Sequence, residues 1–227
     1  MNERRAAASV LVIGTGAAGL RAAIELAERG VQVLCVGKRR RDDAHTVLAS
    51  GGINAALGTM DPEDSWEQHA ADTLREGYWL SDPASVELLC REAPGAIEDL
   101  VRWGARLERE SDGRLTQRFF GAHRWRRTCF AGDYTGREIQ RTLVRRAVEV
   151  GVEMRDDLYV TRLLVHDGRV FGAYGFDVDD GSRPVVFAGF SQGVAMAYRA
   201  ACRGPRRAAG IIAVGGDVPP ELLQDPE

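Results

Sequence analysis

The sequence lacks any long hydrophobic run, although 44% of its 227 residues are hydrophobic. A membrane-spanning helix needs about 20 consecutive apolar residues, and no segment approaches that length. Residues 1–9 are basic, but the apolar run that follows them is too short for a signal peptide. These absences exclude an integral membrane protein and predict a cytoplasmic chain of ordinary globular composition.

A large excess of charge of either sign is also missing, since the formal net charge is −3. This near balance excludes a general affinity for nucleic acid or for acidic membranes. Basic residues cluster only locally, at residues 38–41 and 124–127. Each cluster fits either a solvated loop or a surface that faces a phosphate or a carboxylate.

Cysteine is scarce, and its spacing follows no metal-binding pattern. The four cysteines are Cys35, Cys90, Cys129 and Cys202. Their wide separation predicts no metal site and fits a reducing compartment. Cys35 lies in an apolar run, where a free thiol behaves as a small core residue.

A β–α–β unit occupies the first part of the chain. Residues 10–13 form a short aliphatic run, as expected for a buried parallel strand. Apolar residues then recur at helical spacing up to Gly30, which ends the helix. Residues 31–36 form the second strand, so the unit has the usual length of about 30 residues.

The turn between this strand and helix has the sequence Gly-Thr-Gly-Ala-Ala-Gly. Gly14 permits a tight turn, Gly16 lets the backbone approach a diphosphate, and Gly19 allows close packing of helix on strand. The first amides of the helix then face the anion. The pattern predicts a Rossmann-like dinucleotide site formed by Gly14, Thr15, Gly16, Ala17, Ala18 and Gly19.

The second strand lacks the acidic residue that often ends it in dinucleotide-binding units and binds ribose hydroxyls. Gly37 and Lys38 stand there instead. This departure from the general pattern favours a narrower family.

The rest of the chain alternates between helical and extended patterns, so the fold class is α/β with a parallel sheet and a β-meander. Asp167 and Gly168 form a hairpin turn. The predicted helices are residues 64–76, 82–103 and 135–150, with Thr135 a candidate cap, and the predicted strands are residues 152–154, 159–165, 169–176 and 183–188.

Residues 44–58 resemble the flavin loop of the succinate dehydrogenase and fumarate reductase flavoprotein subunits. In that family a Ser/Thr-Lys pair commonly replaces the acidic residue, and Gly37-Lys38 is similar to it. The resemblance covers residues 9–186 and continues through Trp66, His69, Asp72, Thr73, Trp79, Leu80, Ser81, Asp82, Ala93, Pro94, Gly104, Asp112, Gly113, Gln117, Arg118, Arg127, Asp133, Tyr134, Thr135 and Gly136.

The resemblance implies that FAD is the cofactor and that the loop lies along its flavin ring. In the family, the residue that matches His45 is bonded covalently to the 8α-methyl carbon of the flavin; the alternative here is a histidine that packs in the loop. Ala44 and Ser50 depart from the family's Ser and Gln. The implied contacts are Lys38, His45, Thr46, Ala49, Ser50, Gly51, Gly52 and Ile53.

Two alternatives stay open for this part of the chain. The L-aspartate oxidases resemble the sequence over the same span but usually lack a histidine at the position of His45. A non-catalytic flavin-binding module is the other alternative. His69, His123 and His166 have no visible partner and are interpreted as structural or surface residues.

The last part of the chain contains Gly189-Phe190-Ser191-Gln192-Gly193 between a strand and a helical stretch, the context of a nucleophile elbow. Residues 187–227 resemble a fragment of an α/β-hydrolase, a carboxylesterase or phospholipase, with the order strand–turn–helix–strand. A serine esterase using Ser191 is therefore a further hypothesis. No histidine follows Ser191, so its hydroxyl has no general base and is predicted to be silent.

The sequence thus predicts two truncated pieces, an FAD-binding domain over residues 1–186 and the hydrolase-like fragment over residues 187–227. The family's dicarboxylate substrate is held by segments that have no counterpart here. A full-length relative would pass electrons to an iron–sulfur subunit, which would place it at the inner face of the membrane. The truncated chain is predicted to be inactive by itself.

Overall fold

The computed structural model describes residues 8–178, 185–190 and 208–214. The chain divides into two compact units, Met1–Asp177 and Val178–Glu227. None of the helices in the described part of the chain is long and apolar enough to cross a membrane.

The first unit contains four helices and eight of the strands. The helices are α1 (Ala17–Glu28), α2 (Trp66–Glu76), α3 (Pro83–Arg102) and α4 (Thr135–Glu149). The strands are β1 (Val10–Ile13), β2 (Val33–Val36), β3 (Ile53–Asn54), β4 (Gln117–Arg118), β5 (Thr128–Cys129), β6 (Glu153–Arg155), β7 (Leu158–His166) and β8 (Arg169–Asp177).

The parallel sheet has the strand order β1-β2-β6, and α1 connects its first two strands. Val10 pairs with Val33, and Leu34 pairs with Glu153, both in parallel register. All four residues of β2 are buried, as expected for the central strand of a covered parallel sheet. This arrangement confirms the β–α–β prediction and the α/β fold class.

Buried apolar side chains of α1, α3, α4 and the central strand β2 form one cluster. Buried residues of α1 pack with β2, α3 and α4, so α3 and α4 are fixed to the nucleotide-binding unit. The members central to this packing are Leu20, Ala23, Ile24, Val33, Cys35, Ile97, Leu100, Leu143 and Ala147.

Local capping signals explain where α2 and α3 begin. The Ser65 side chain accepts a hydrogen bond from the Gln68 amide, and the Asp82 side chain accepts one from the Ser85 amide. Pro83 occupies the first helical position of α3, where its missing N–H costs nothing. Both predicted helix starts are confirmed to within two residues.

Two antiparallel assemblies complete the first unit. The short strands β3, β5 and β4 form one sheet in that order. The hairpin β7–β8 turns at Asp167 and Gly168, whose φ angles are 47° and 71°. Positive φ at both central residues is the geometry that the predicted hairpin turn requires.

The second unit contains β9 (Val185–Phe190) and β10 (Ala208–Val214), which pair in parallel. The third strand of the predicted β-meander is therefore present as β9. In the described residues, however, its ladder is with β10, and the antiparallel part of the meander is the β7–β8 hairpin. Ser191, the candidate nucleophile, lies outside the described residues.

Candidate functional site

The glycine turn has the geometry that its sequence predicts. Gly14 has φ +126°, which only glycine adopts readily, and its amide donates to the Val36 carbonyl at 2.8 Å. A Cβ at Gly19 would overlap the Gly14 carbonyl oxygen. The third glycine therefore lets α1 start directly against the end of β1.

The start of α1 is open to an anion. Gly16 is the N-cap residue and offers no side chain to the first amides of the helix. Those amides have no acceptor within the helix and carry its positive dipole end. The Thr46 hydroxyl accepts a hydrogen bond from the Ala17 amide at 3.0 Å, and a Cβ at Gly16 would lie 3.3 Å from that hydroxyl oxygen. The turn therefore fits a diphosphate beside a hydroxyl group.

The end of β2 explains the missing acidic residue. Thr15 is buried, and a Cβ at Gly37 would overlap its hydroxyl oxygen. The Gly37 amide donates to the Arg155 carbonyl at 2.9 Å, and the Gly37 carbonyl accepts from the Leu158 amide at 2.8 Å. A threonine in the glycine turn thus requires a residue without a side chain at the end of the second strand.

Substitution of Gly37 by serine is expected to lower the free energy of unfolding by about 1–3 kcal/mol, because the new side chain overpacks Thr15. In the Thr15→Ala background the same substitution should cost clearly less. Urea unfolding of the two single variants and the double variant measures this coupling. Strictly additive effects would show that the two side-chain positions do not compete for the same space.

The two basic clusters differ in their surroundings. Lys38 and the two arginines after it are exposed, and Lys38 directly follows Gly37 at the end of β2. Arg126 pairs with Asp61 at 2.6 Å, and Arg127 is fully buried. The second cluster therefore faces carboxylates of the protein itself.

The flavin loop lies against the start of α4. A short 3₁₀ turn holds His45 and Thr46, and the His45 side chain is exposed. The Gly136 amide donates to the Ala49 carbonyl at 2.7 Å. A Cβ at Gly136 would overlap the Thr46 carbonyl oxygen and lie 2.8 Å from the Ala49 carbonyl oxygen. The loop is therefore held between the first amides of two helices, α1 and α4.

The Gly-Gly pair of the loop is tightly enclosed on one side. Gly52 has φ +126°, and a Cβ there would overlap the Thr128 methyl group and lie 2.7 Å from the Cys129 carbonyl oxygen. The Gly51 carbonyl accepts a hydrogen bond from Arg118 Nη2 at 2.9 Å. Ser50 before the pair is exposed, and Ile53 after it begins β3. The backbone of this turn is thus held in place by β5 and by the Arg118 side chain.

The structure corrects the prediction for Thr135. Tyr134 is the N-cap residue of α4 and makes no side-chain capping bond. Thr135 is buried, and its hydroxyl accepts from the Ala131 amide at 3.1 Å, so it fixes the segment before the helix. Capping was wrong because the loop carbonyl of Ala49 already supplies an acceptor for the first turn of α4.

A buried ionic cluster beneath the loop was not found from the sequence. The Arg127 guanidinium donates to Asp64 at 2.6 Å and to Asp72 at 2.8 Å. Burial raises the pKa of the Asp72 carboxyl, but the hydrogen bonds from Arg127 and the Arg124 amide outweigh it, so the pKa is lowered. Arg75 is a further ion-pair partner of Asp72. Arg127 is separated from Asp64 and Asp72 by 63 and 55 positions in the sequence, so no local pattern reveals these two pairs. Arg75 is three positions from Asp72.

Two of the three histidines without a predicted partner, His69 and His123, belong to this cluster, and His166 is exposed at the end of β7. His69 is 2% exposed, and its Nδ1 has no hydrogen-bond partner. Burial, followed by the charge of Arg127, lowers the pKa of His69 to about 4. His123 packs edge-on against it, with the ring centroids 5.5 Å apart. Burial, followed by Arg127, also lowers the pKa of His123, so both rings are neutral at pH 7.

In the described part of the chain, neither a metal-binding group nor either of two surface cavities lies at the glycine turn or the flavin loop. Among the described residues, no group of His, Cys, Asp and Glu could hold a metal ion. Two surface cavities of about 470 and 460 Å³ lie elsewhere; their lining residues are Arg102, Trp103, Gly104, Arg106, Arg145, Arg146 and Glu149 for the first and Thr161, Arg162, Leu164 and Tyr174 for the second. The candidate site is therefore defined by backbone geometry.

The sequence model of the FAD binding domain family matches residues 9–211. A fumarate reductase (CoM/CoB) subunit from Methanothermobacter marburgensis is 42% identical over 179 residues, which are 78% of this chain and 32% of the relative. The succinate dehydrogenase flavoprotein subunit of Rickettsia bellii is 38% identical over 181 residues, or 76% of this chain and 30% of the relative. The chain thus spans about a third of these relatives.

Solved structures show the same relationship. Mycobacterium smegmatis Sdh1 in complex with UQ1 has a TM-score of 0.73 and 37% identity over 83% of this chain and 34% of its own. E. coli quinol fumarate reductase has a TM-score of 0.73 and 31% identity over 83% of this chain and 33% of its own.

Proposed function

Since this chain belongs to the FAD binding domain family, we propose that its glycine turn and flavin loop form one continuous FAD site. The chain is the FAD-binding part of a flavoprotein of the succinate dehydrogenase/fumarate reductase type, and its homologues are FAD-dependent oxidoreductases. FAD is its cofactor. The assignment of individual contacts to this cofactor is our proposal.

The contact between Thr46 and Ala17 is the observation that carries the proposal. It joins the flavin loop to the first amide of α1, where the glycine turn offers a diphosphate site. Gly14, Gly16 and Gly19 leave the backbone free to approach the phosphates, and Thr15 and Ala18 complete the turn. The exposed Lys38, which directly follows Gly37, is proposed to contact the nucleotide part of FAD.

The loop residues beyond Thr46 orient the other end of the cofactor. FAD, when bound, supplies the capacity to accept two electrons. Ala49, Ser50 and the Gly51-Gly52 pair present backbone along one side of the cleft, and Ile53 adds an apolar edge. Arg118 holds the Gly51 carbonyl in place and keeps this backbone fixed.

The activity of a complete protein follows only as a further proposal, because the chain spans about a third of its relatives. We propose that a complete protein oxidises or forms a dicarboxylate of the succinate/fumarate pair and exchanges electrons with an iron–sulfur subunit. That partner would hold it at the inner face of the membrane, with the chain itself in the cytoplasm. The chain alone should bind FAD and not turn over succinate.

Covalent attachment of the flavin through His45 is proposed as well. The exposed His45 ring lies on the loop one residue before Thr46, whose hydroxyl accepts from the first amide of α1, and this position beside the proposed FAD site supports the attachment. We expect flavin to remain with the chain after denaturation, detected as a mass increase of the polypeptide. His45→Ala should lose this mass increase and retain reversible FAD binding.

The outcomes of that experiment separate the alternatives. Flavin released intact by denaturant from the unaltered chain would contradict the covalent bond and favour an L-aspartate-oxidase-like flavoenzyme. Turnover of succinate with an artificial acceptor would contradict the missing substrate-binding half. A preparation that binds no FAD at any concentration would overturn the proposed function itself.

A hydrolase-like fragment over residues 187–227 remains a separate proposal. Its support is the sequence around Ser191 and the parallel pairing of β9 with β10. The FAD binding domain match extends to residue 211 and so includes part of this segment. A fluorophosphonate probe tests the serine; we expect no stoichiometric labelling, because no histidine follows it in the chain.

A further inference from the structure

A hydrogen-bonded chain connects the flavin loop to the buried ionic cluster. The Asn54 amide lies 2.6 Å from the Thr128 hydroxyl oxygen on one side and 2.9 Å from His123 Nε2 on the other. His123 Nδ1 lies 2.9 Å from Arg127 Nη1. His123 is therefore the link between the loop and Arg127.

The loop end of this chain touches the backbone that faces the flavin. Asn54 directly follows Ile53 and pairs with Thr128 across β3 and β5. Gly52 rests on the Thr128 methyl group so closely that no side chain fits between them. A displacement of Asn54 or Thr128 would therefore move the Gly51-Gly52 turn.

The link requires a neutral imidazole. A guanidinium can only donate hydrogen bonds, so Nδ1 of His123 must accept from Arg127, and a neutral ring then carries its proton on Nε2. Nε2 therefore donates to Asn54, which accepts when its amide oxygen faces the ring and its NH2 group faces the Thr128 hydroxyl. A proton on Nδ1 would set the ring N–H against the N–H of Arg127 and would place the charged imidazole next to the guanidinium. The titratable and charged groups that face the ring are Arg127, His69, Asp64, Asp72 and Glu76. The two aspartates are already engaged by Arg127, so neither is free to receive a new proton donor.

We propose that His123 is a positioning residue that holds the Gly51–Asn54 turn against the flavin only while its ring is neutral, so that acid weakens FAD binding. This inference rests on the proposed FAD site and adds a form of control to it. It also gives a role to a histidine for which the sequence offered no partner. The inference predicts that the pH dependence of FAD affinity changes when His123 is replaced.

The test compares FAD affinity at several pH values from 8 to 5 in His45→Ala and in His45→Ala/His123→Gln. The His45→Ala background prevents a covalent bond and removes the other histidine of the loop. Glutamine keeps one acceptor and one donor but does not titrate. For the His123→Gln chain we expect FAD affinities at pH 8 and pH 5 that agree within twofold, and for the chain that retains His123 we expect binding that is at least threefold weaker at pH 5 than at pH 8.

The matched control is His45→Ala/His166→Gln, which alters an exposed histidine at the far end of the β7–β8 hairpin. It should follow the pH profile of His45→Ala alone, and circular dichroism at each pH should report the same folded fraction in all three. Parallel pH profiles with and without His123 would overturn the inference while leaving FAD binding intact. Absence of FAD binding at pH 8 would instead overturn the proposed function, and this inference with it.

Discussion

Gly136→Ala is expected to weaken FAD binding by about 100-fold while leaving the chain folded. The new Cβ would overlap the Thr46 carbonyl oxygen, and the Ala49 carbonyl oxygen lies 2.8 Å from the same point. Both atoms are backbone, so the loop must move, at a cost near the upper end of the about 1–3 kcal/mol typical of overpacking. That cost corresponds to about two decades in the dissociation constant.

The measurement is titration of the purified variant with FAD, followed by flavin fluorescence. Gly95→Ala is the matched control, because a Cβ there meets nothing within 4 Å and the residue is exposed in the middle of α3. The control should bind FAD normally and gain up to about 1 kcal/mol of stability from its helix propensity. Normal FAD affinity in Gly136→Ala would show that the loop need not rest on α4.

Arg127→Leu is expected to lower the free energy of unfolding by about 3–5 kcal/mol, the cost of breaking a buried ion pair by removing one partner. The substitution leaves the Asp64 carboxylate buried without its cation and leaves Asp72 paired with Arg75 alone. It also removes the donor that His123 Nδ1 accepts from. A loss of this size is a large fraction of the stability of a typical domain.

Denaturant unfolding of Arg127→Leu beside Arg91→Leu provides the comparison. Arg91 pairs with Glu87 on the exposed face of α3, where an ion pair contributes about 0–1 kcal/mol. A second variant, Arg127→Lys, retains the charge but not the forked geometry, so its stability should be intermediate. Equal effects of Arg127→Leu and Arg91→Leu would contradict the interpretation of the cluster as a structural foundation of the loop.

The elements that sequence predicted best are those whose signals are local. Asp82 and Pro83 mark the start of α3 because the cap and the first helical position follow each other in the chain. Asp167 and Gly168 specify the hairpin turn because both adopt positive φ. Gly14 and Gly19 have the turn and packing geometry predicted for them for the same reason, and the approach of Gly16 to a diphosphate stays a prediction.

The features that sequence did not predict depend on residues far apart in the chain. Gly37 looks like a departure from a pattern until Thr15 is placed beside it. Arg127 cannot be distinguished from Arg124 by composition, although one is buried and the other is not. Thr135 has the residue type of a helix cap, but a loop carbonyl had taken over part of that task.

The position of the flavin loop between α1 and α4 has a consequence for transferring this site to another scaffold. A design that copied only the segment from β1 to β2 would contain the proposed phosphate site but not the start of α4, where the Gly136 amide binds the Ala49 carbonyl of the loop. The smallest transplantable piece therefore reaches through α4. The same requirement applies to natural recombination. We expect crossovers between relatives to be tolerated more readily before the glycine turn or after α4 than at positions between these two elements.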